Sequence, residues 1–368
     1  MSSGYRMDGN SKIPNRWDII NFGDVVKIRN NKVVASTVPS GTQSIDLECL
    51  EQGTGRLIKS DEAKGSGVKY SFKKGDVLFG RLRAYLKKYW LASFDGVCST
   101  EIWPLINKNE RLINKYLYLL VQTNHFSTAA SVTYGTHMPR SDWNVLKELL
   151  IRVPPVPEQR AIAQALSDVD DLINSMERLI AKKRDIKQAA MQQLLTGKTR
   201  LPRFSGAWEV IRLGDIATIK TGAKDVNEGN PSGMYPFFTC SRNISFSDSY
   251  SFDTEAILIA GNGDVGNLHY YNGKFEAYQR TYVLHRFITD IKFIWHQLQY
   301  RLIDSLGIDK IGSSIPYIKM ENLTGFAFSA PVSDDEKKAI AEKLSDMDLE
   351  IEILSCPSSI CKCNASVF

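Results

Sequence analysis

Several stretches carry residue types that could do chemistry, but not in the arrangement that chemistry needs. Gly261-Asn262-Gly263-Asp264-Val265-Gly266 follows a strand-like run with the G-x-G-x-x-G spacing that lets a helix N-terminus meet a pyrophosphate. The chain then continues Asn267-Leu268-His269-Tyr270-Tyr271-Asn272-Gly273, a turn and another strand, so no helix starts where a phosphate would sit. Gly197-Lys198-Thr199 ends like a phosphate-binding loop, yet residue 192 is Gln and a helix precedes it. Cys356, Cys361 and Cys363 cluster without the second Cys or His pair of a zinc set. His125, His137, His269, His285 and His296 show no metal-ligand spacing. Asp334-Asp335-Glu336-Lys337 has the composition of a nuclease site, but acids at a helix N-terminus are explained by the helix dipole. No aspartate-proline-proline-tyrosine methyltransferase motif occurs. The expectation is a chain with no catalytic residues, no metal site and no cofactor of its own.

What the chain does possess is a long helix and a duplication. From Pro157 to Thr196 apolar residues recur at three- and four-residue steps, with Pro157 and Glu158 suiting the N-terminus and Gly197 the C-terminal cap. The spacing predicts a helix of about 39 residues, roughly 58 Å long. Ala-Ile-Ala-x-x-Leu-Ser-Asp-x-Asp occurs at 161–170 and again at 339–348. Trp17 with Gly23-Asp24 is repeated as Trp208 with Gly214-Asp215, and Gly135-x-x-x-Pro139 as Gly312-x-x-x-Pro316. Each half therefore opens on a Trp and an extended segment. It then passes through strands (Val77–Gly80; Ala256–Ala260) and a helical piece (Ile113–Val121; Ile291–Leu302). A Pro-marked strand (Leu149–Val153; Phe326–Ala330) leads into its long helix. The expected fold is mixed α/β (α+β): two similar globules joined by long helices that pair as an antiparallel coiled coil about a pseudo-twofold. The expected organisation is a first globule at 1–153, a central spacer helix at 154–200, a second globule at 201–332, a shorter helix at 333–355 and a tail at 356–368.

Composition bounds the partners. No run of about 18 apolar residues exists, so no membrane span is expected, and the start of the chain lacks the apolar core of a signal peptide. The six Cys have no disulfide-framework spacing, which suits a reducing cytoplasm. A net charge of +5 permits nucleic-acid binding without demanding it. Its distribution says more: seven Lys or Arg stand against Asp185 alone between Lys182 and Arg203.

Pro154-Pro155-x-Pro157-Glu158-Gln159-Arg160-x-Ile162-Ala163, then a long helix, Leu194-Leu195-Thr196-Gly197-Lys198 and Trp208-x-x-x-x-Leu213-Gly214-Asp215 together resemble the specificity subunit of type I restriction-modification systems. The resemblance covers nearly the whole chain, because the duplication is itself that family's architecture. It implies a DNA-binding subunit without catalytic residues, two globules that each read half of a split double-stranded site, and helices that act as a spacer. It further implies methylation subunits bringing S-adenosylmethionine, and a restriction-translocase subunit bringing ATP and magnesium. A protein-protein adaptor without DNA contact, or a nuclease with a scattered acidic site, are the alternatives from other classes.

Positive charge binds phosphates, whereas Arg, Asn, Gln and Thr read base edges. The candidate DNA contacts in the first globule are Arg81, Arg83, Tyr85, Lys87 and Lys88 after a strand, with Thr136 and Arg140 in the Gly-x-x-x-Pro loop. In the second globule they are Asn262, Asp264, Gln279, Arg280, Ser313, Tyr317 and Lys319. The second long helix is the shorter, so an antiparallel pair leaves Ile162, Leu166, Val169, Ile173 and Met176 uncovered, as a docking stripe for the methylation subunits or a second copy of this chain, the methylation subunits being favoured.

Overall fold

The structure is a computed structural model and describes residues 5–8, 11–134, 138–306 and 317–355. The chain divides into two compact units, Met1–Ile173 and Asn174–Phe368. Thr136, Ser313 and the tail at 356–368 lie outside the described residues.

The first unit opens with a hairpin of β1 (Tyr5–Asp8) and β2 (Ser11–Pro14). Then come β3 (Asp18–Asn21), α1 (Phe22–Val25), β4 (Val26–Ile28), β5 (Lys32–Val34), β6 (Gln43–Ile45) and β7 (Asp61–Glu62). After these run β8 (Val68–Phe72), β9 (Val77–Gly80), β10 (Tyr89–Leu91), β11 (Gly96–Ser99) and β12 (Ile102–Asn107). Helices α2 (Asn114–Gln122) and α3 (Asn124–Ala130), the short pair β13 (Thr133–Tyr134) and β14 (Arg140–Ser141), α4 (Trp143–Leu146) and β15 (Leu150–Val153) complete it. One sheet has the order β10-β9-β12-β4, the other β5-β8-β11-β6-β7. Side chains alternate across a strand, and β9 uses both faces. Val77 and Phe79 join the core beneath α2, α3 and α4, whereas Leu78 joins the core shared with the second sheet.

The second unit repeats this plan. It holds β16 (Trp208–Arg212), α6 (Leu213–Ile216), β17 (Thr218–Thr221), β18 (Tyr235–Phe238), β19 (Ser245–Ser247), β20 (Phe252–Ala260), β21 (Leu268–Ala277) and β22 (Thr281–His285). α7 (Ile291–Leu306), α8 (Met320–Thr324) and β23 (Ala327–Pro331) follow. Its sheet order, β17-β22-β20-β21-β18-β19, contains β17-β22-β20-β21 in the place of β4-β12-β9-β10. Here too Ile257 and Ile259 face the helices while Ala256 and Leu258 face a smaller core.

The repeated Gly-Asp motif now has a physical reason. In both units the first and last strands pair antiparallel, β3 with β15 and β16 with β23. The turn after the first strand is pressed against the segment before the last one. A Cβ on Gly23 would sit 2.6 Å from Lys147 Cβ, and one on Gly214 would sit 3.0 Å from Thr324 Cβ. The Gly23 amide also donates to the Lys147 carbonyl at 2.8 Å. Only glycine permits that approach.

α5 (Val156–Leu194) is a continuous helix of 39 residues. Its opening Glu-Gln ties it to the first globule. Glu158 pairs with Arg16 at 3.0 Å, and the fully buried Gln159 bonds the Ile113 amide and the Arg111 and Pro154 carbonyls. At the other end Gly197 adopts a left-handed φ of 70° with the Trp208 ring against it, which accounts for the Thr-Gly-Lys and Trp motifs. The last helix, α9 (Asp334–Ser355), spans 22 residues. Ile340, Ala341 and Leu344 of α9 share a core with Met191, Leu194 and Leu195. Lys187 pairs with Asp348 and Lys183 with Glu350, so the two helices run antiparallel. No helix among the described residues is long and apolar enough to cross a membrane.

Candidate nucleic-acid interface

Where β9 ends, three chain segments meet. The Arg81 amide donates to the Glu101 carbonyl at 2.9 Å, just before β12, and the Ser141 amide of β14 donates to the Arg81 carbonyl at 2.9 Å. Where β20 ends, the Gly261 amide donates to the Arg280 carbonyl at 3.0 Å and the Ile318 amide to the Gly261 carbonyl at 2.8 Å. Arg83 and Gly263, two residues further along each loop, both adopt left-handed φ, 51° and 63°. The backbone frame is thus the same in both globules, and the side chains on it are different. Arg81, Glu101, Trp103 and Arg140 occupy it in one; Gly261, Arg280, Tyr282 and Tyr317 take the corresponding places in the other.

In the first globule the Arg81 guanidinium lies 5.2 Å from the Trp103 ring, a cation–π contact, and its Nε is buried without a hydrogen-bond acceptor. Arg140 forks onto Glu101, with Nε to Oε2 at 2.9 Å and Nη2 to Oε1 at 2.8 Å. That hydrogen bond is the main reason the Glu101 carboxyl is held below the ordinary carboxylate range, with Arg81 adding to the effect. Arg83 is exposed, as is Tyr85. Lys87, also left-handed, donates to Asn124 at 3.0 Å. The Lys88 ammonium turns inward and donates to the Leu47 carbonyl at 2.6 Å.

The second globule gathers five of its seven candidates into one cleft of about 360 Å³. Asn262, Gln279, Arg280, Tyr317 and Lys319 all line it. Tyr282 forms part of its wall and anchors it by donating its hydroxyl to the Ile318 carbonyl at 2.8 Å. Arg280 and Tyr317 are exposed, Gln279 donates to Asp225 at 3.3 Å, and Lys319 lies 3.4 Å from Glu321. Asp264 stands apart from the cleft, 3.9 Å from Arg242. The sequence reasoning missed Glu101. A carboxylate among basic loop residues gives no charge signal for a polyanion, though the strand register that equates it with Arg280 could have exposed it.

On α5 the stripe is partly as expected. Leu166, Val169, Ile173 and Met176 are 45%, 51%, 46% and 39% exposed, and Leu172 and Leu179 extend the same apolar surface. Ile162 corrects the expectation: it packs against the core of the first globule, because the first turns of α5 lie on that globule. Among the described residues, no group of three or more His, Cys, Asp or Glu could hold a metal ion.

The family model for the type I restriction modification DNA specificity domain matches residues 14–183 and again 206–355. The EcoDI specificity subunit of Escherichia coli is 38% identical over 145 residues, which is 39% of this chain and 32% of that subunit. The MjaVIII specificity subunit of Methanocaldococcus jannaschii is 25% identical over 93% of this chain and 88% of its own length. A type I restriction-modification S subunit from M. genitalium shares the fold with a TM-score of 0.66 at 16% identity, covering 96% of this chain and 94% of that one. Two matches to one family model, in tandem on a duplicated fold, place the chain in the family of type I restriction-modification specificity subunits, whose role is DNA sequence recognition.

Proposed function

We propose that the chain is a non-catalytic recognition subunit in which each globule reads one half of a bipartite double-stranded DNA site. The repeated frame carries this reading. The same main-chain bonds gather the same three segments in both globules, while the outward side chains are exchanged. Two targets of one chemical kind but different sequence call for that arrangement, since base edges are distinguished by side-chain donors and acceptors. Arg83, Tyr85 and Lys87 flank the first frame, and Asn262, Gln279, Arg280, Tyr317 and Lys319 line the second. Methylation subunits cover the apolar stripe of α5 and bring S-adenosylmethionine, and a restriction-translocase subunit brings ATP and magnesium, all in the cytoplasm.

The test is methylome sequencing of cells carrying and lacking the gene, followed by exchange of residues 17–153 for the corresponding globule of a relative. The expected result is a bipartite methylated motif of which one half changes on exchange while the other half and the spacing persist. A contiguous motif, or a change in both halves, would overturn the proposal.

A further inference from the structure

We infer that Arg140 reads a guanine in the half-site of the first globule, and that Glu101 is the positioning residue that aims it. This rests on the reading that the first globule recognises half of a split DNA site. A guanidinium carries five N–H groups in a rigid plane, one on Nε and two on each Nη. Glu101 occupies one edge of that plane, taking Nε–H and an Nη2–H through its two oxygens. Among the described residues no hydrogen bond engages Nη1. The outward edge therefore keeps two parallel N–H donors, from Nη1 and Nη2, at a side chain that is 39% exposed.

Such an edge fits two adjacent acceptors. In the major groove guanine offers them as N7 and O6, whereas adenine pairs an acceptor with a donor and thymine presents one acceptor beside a methyl group. A phosphate also offers two oxygens, but the surroundings disfavour it. The Glu101 carboxylate, ionised and hydrogen-bonded to the same guanidinium, repels a second anion and leaves a neutral base edge unopposed. The backbone strengthens the aim. Arg140 lies on β14, its neighbour Ser141 is fixed to the Arg81 carbonyl, and the carbonyl of Glu101 receives the Arg81 amide. Both members of the pair are thus held by one frame. In the second globule Arg280 and Tyr317 stand at these two places, so the device belongs to one half-site only.

The experiment compares methylomes of cells expressing the subunit, with its methylation partners, as wild type, Arg140→Gln and Glu101→Gln. Glutamine pairs with adenine N7 and N6, so Arg140→Gln should lower the preference for guanine at one position by roughly 5- to 150-fold and favour adenine there. Glu101→Gln should relax the same position, less strongly, and every position of the other half should stay as it was. Thermal melts of both variants identify a folding failure; if Arg140→Gln does not fold, the milder Glu101→Gln decides. An unchanged motif in a folded variant, relaxation of a position other than guanine, or a uniform fall in methylation at all sequences (the mark of a phosphate contact) would each overturn the inference while leaving the two-half-site reading intact. A wild-type methylome without any bipartite motif would overturn both.

Discussion

The apolar stripe on α5 lends itself to a double substitution, Leu166→Asp with Ile173→Asp. Nearly half of each side chain remains open, 45% and 46%. Fully burying such a side chain is worth roughly 1.5–3 kcal/mol, so covering the open part contributes about 0.7–1.4 kcal/mol apiece. Losing both contributions weakens a partner by about 10- to 100-fold. Each aspartate adds the cost of placing a carboxylate against apolar surface, which takes the expected loss beyond 100-fold, on the order of 3 kcal/mol or more. The isolated chain should hardly notice, because neither side chain belongs to a buried core; lower helix propensity costs at most about 1 kcal/mol for the pair. Ala163→Asp is the contrast. That methyl is only 4% exposed on the same helix, and a charge there should unfold the first globule. The assays are a thermal melt of the chain alone and a titration with the methylation subunit followed by size-exclusion chromatography. Loss of the fold in the double variant without any partner present would refute the reasoning, as would full retention of the complex.

Two further outcomes are expected. Gly23→Ala and Gly214→Ala should each destabilise their own unit by roughly 1–3 kcal/mol, Gly23 the more because its Cβ would meet Lys147 at 2.6 Å rather than Thr324 at 3.0 Å; thermal melts that rank them the other way would contradict the packing argument. His296, buried on α7 against Ser345 of α9, has its pKa pushed below the ordinary 6.5, first by burial and then by Lys187. The unfolded chain therefore takes up a proton near that pH which the folded chain resists. Stability should be fully present well above 6.5 and fall as the pH drops below it, by up to about 1.4 kcal/mol per pH unit. Melts from about pH 7.5 to about pH 5.5 should show this slope flattened in His296→Gln, and parallel profiles would exclude burial of the neutral imidazole as its cause.

Much of the architecture was legible because it is periodic or repeated. A helical repeat uninterrupted by Gly or Pro named α5 almost to its ends, and the duplicated motifs named the two globules. Non-local pairing was not legible. β3 joins β15 across more than a hundred residues of chain, and no local propensity encodes that choice. The placement of the candidate residues was half legible. Arg81, Arg140, Arg280 and Tyr317 were chosen from residue type and loop position, and the fold sets them on matching frames. The inward turn of Lys88 and of Ile162 was not legible, for one shared reason. Sequence gives a side chain its chemistry but not its direction, and both turn inward, one to a carbonyl and one to a core.

The main-chain construction of the two frames has a consequence for how such a protein can diversify. Amides and carbonyls do most of the holding, so a substitution at Arg81, Glu101 or Arg140 leaves the main-chain bonds of the loop in place, at the cost of the Arg140–Glu101 pair where one of those two is replaced. Recognition can drift by single exchanges on a scaffold that is robust to them, and each half can drift alone. Arg83 marks the extreme of that tolerance: it keeps a large side chain in a left-handed conformation that its counterpart Gly263 adopts freely, at a strain of about 1–2 kcal/mol. Arg83→Gly would relieve that strain and leave the main-chain bonds of the frame in place.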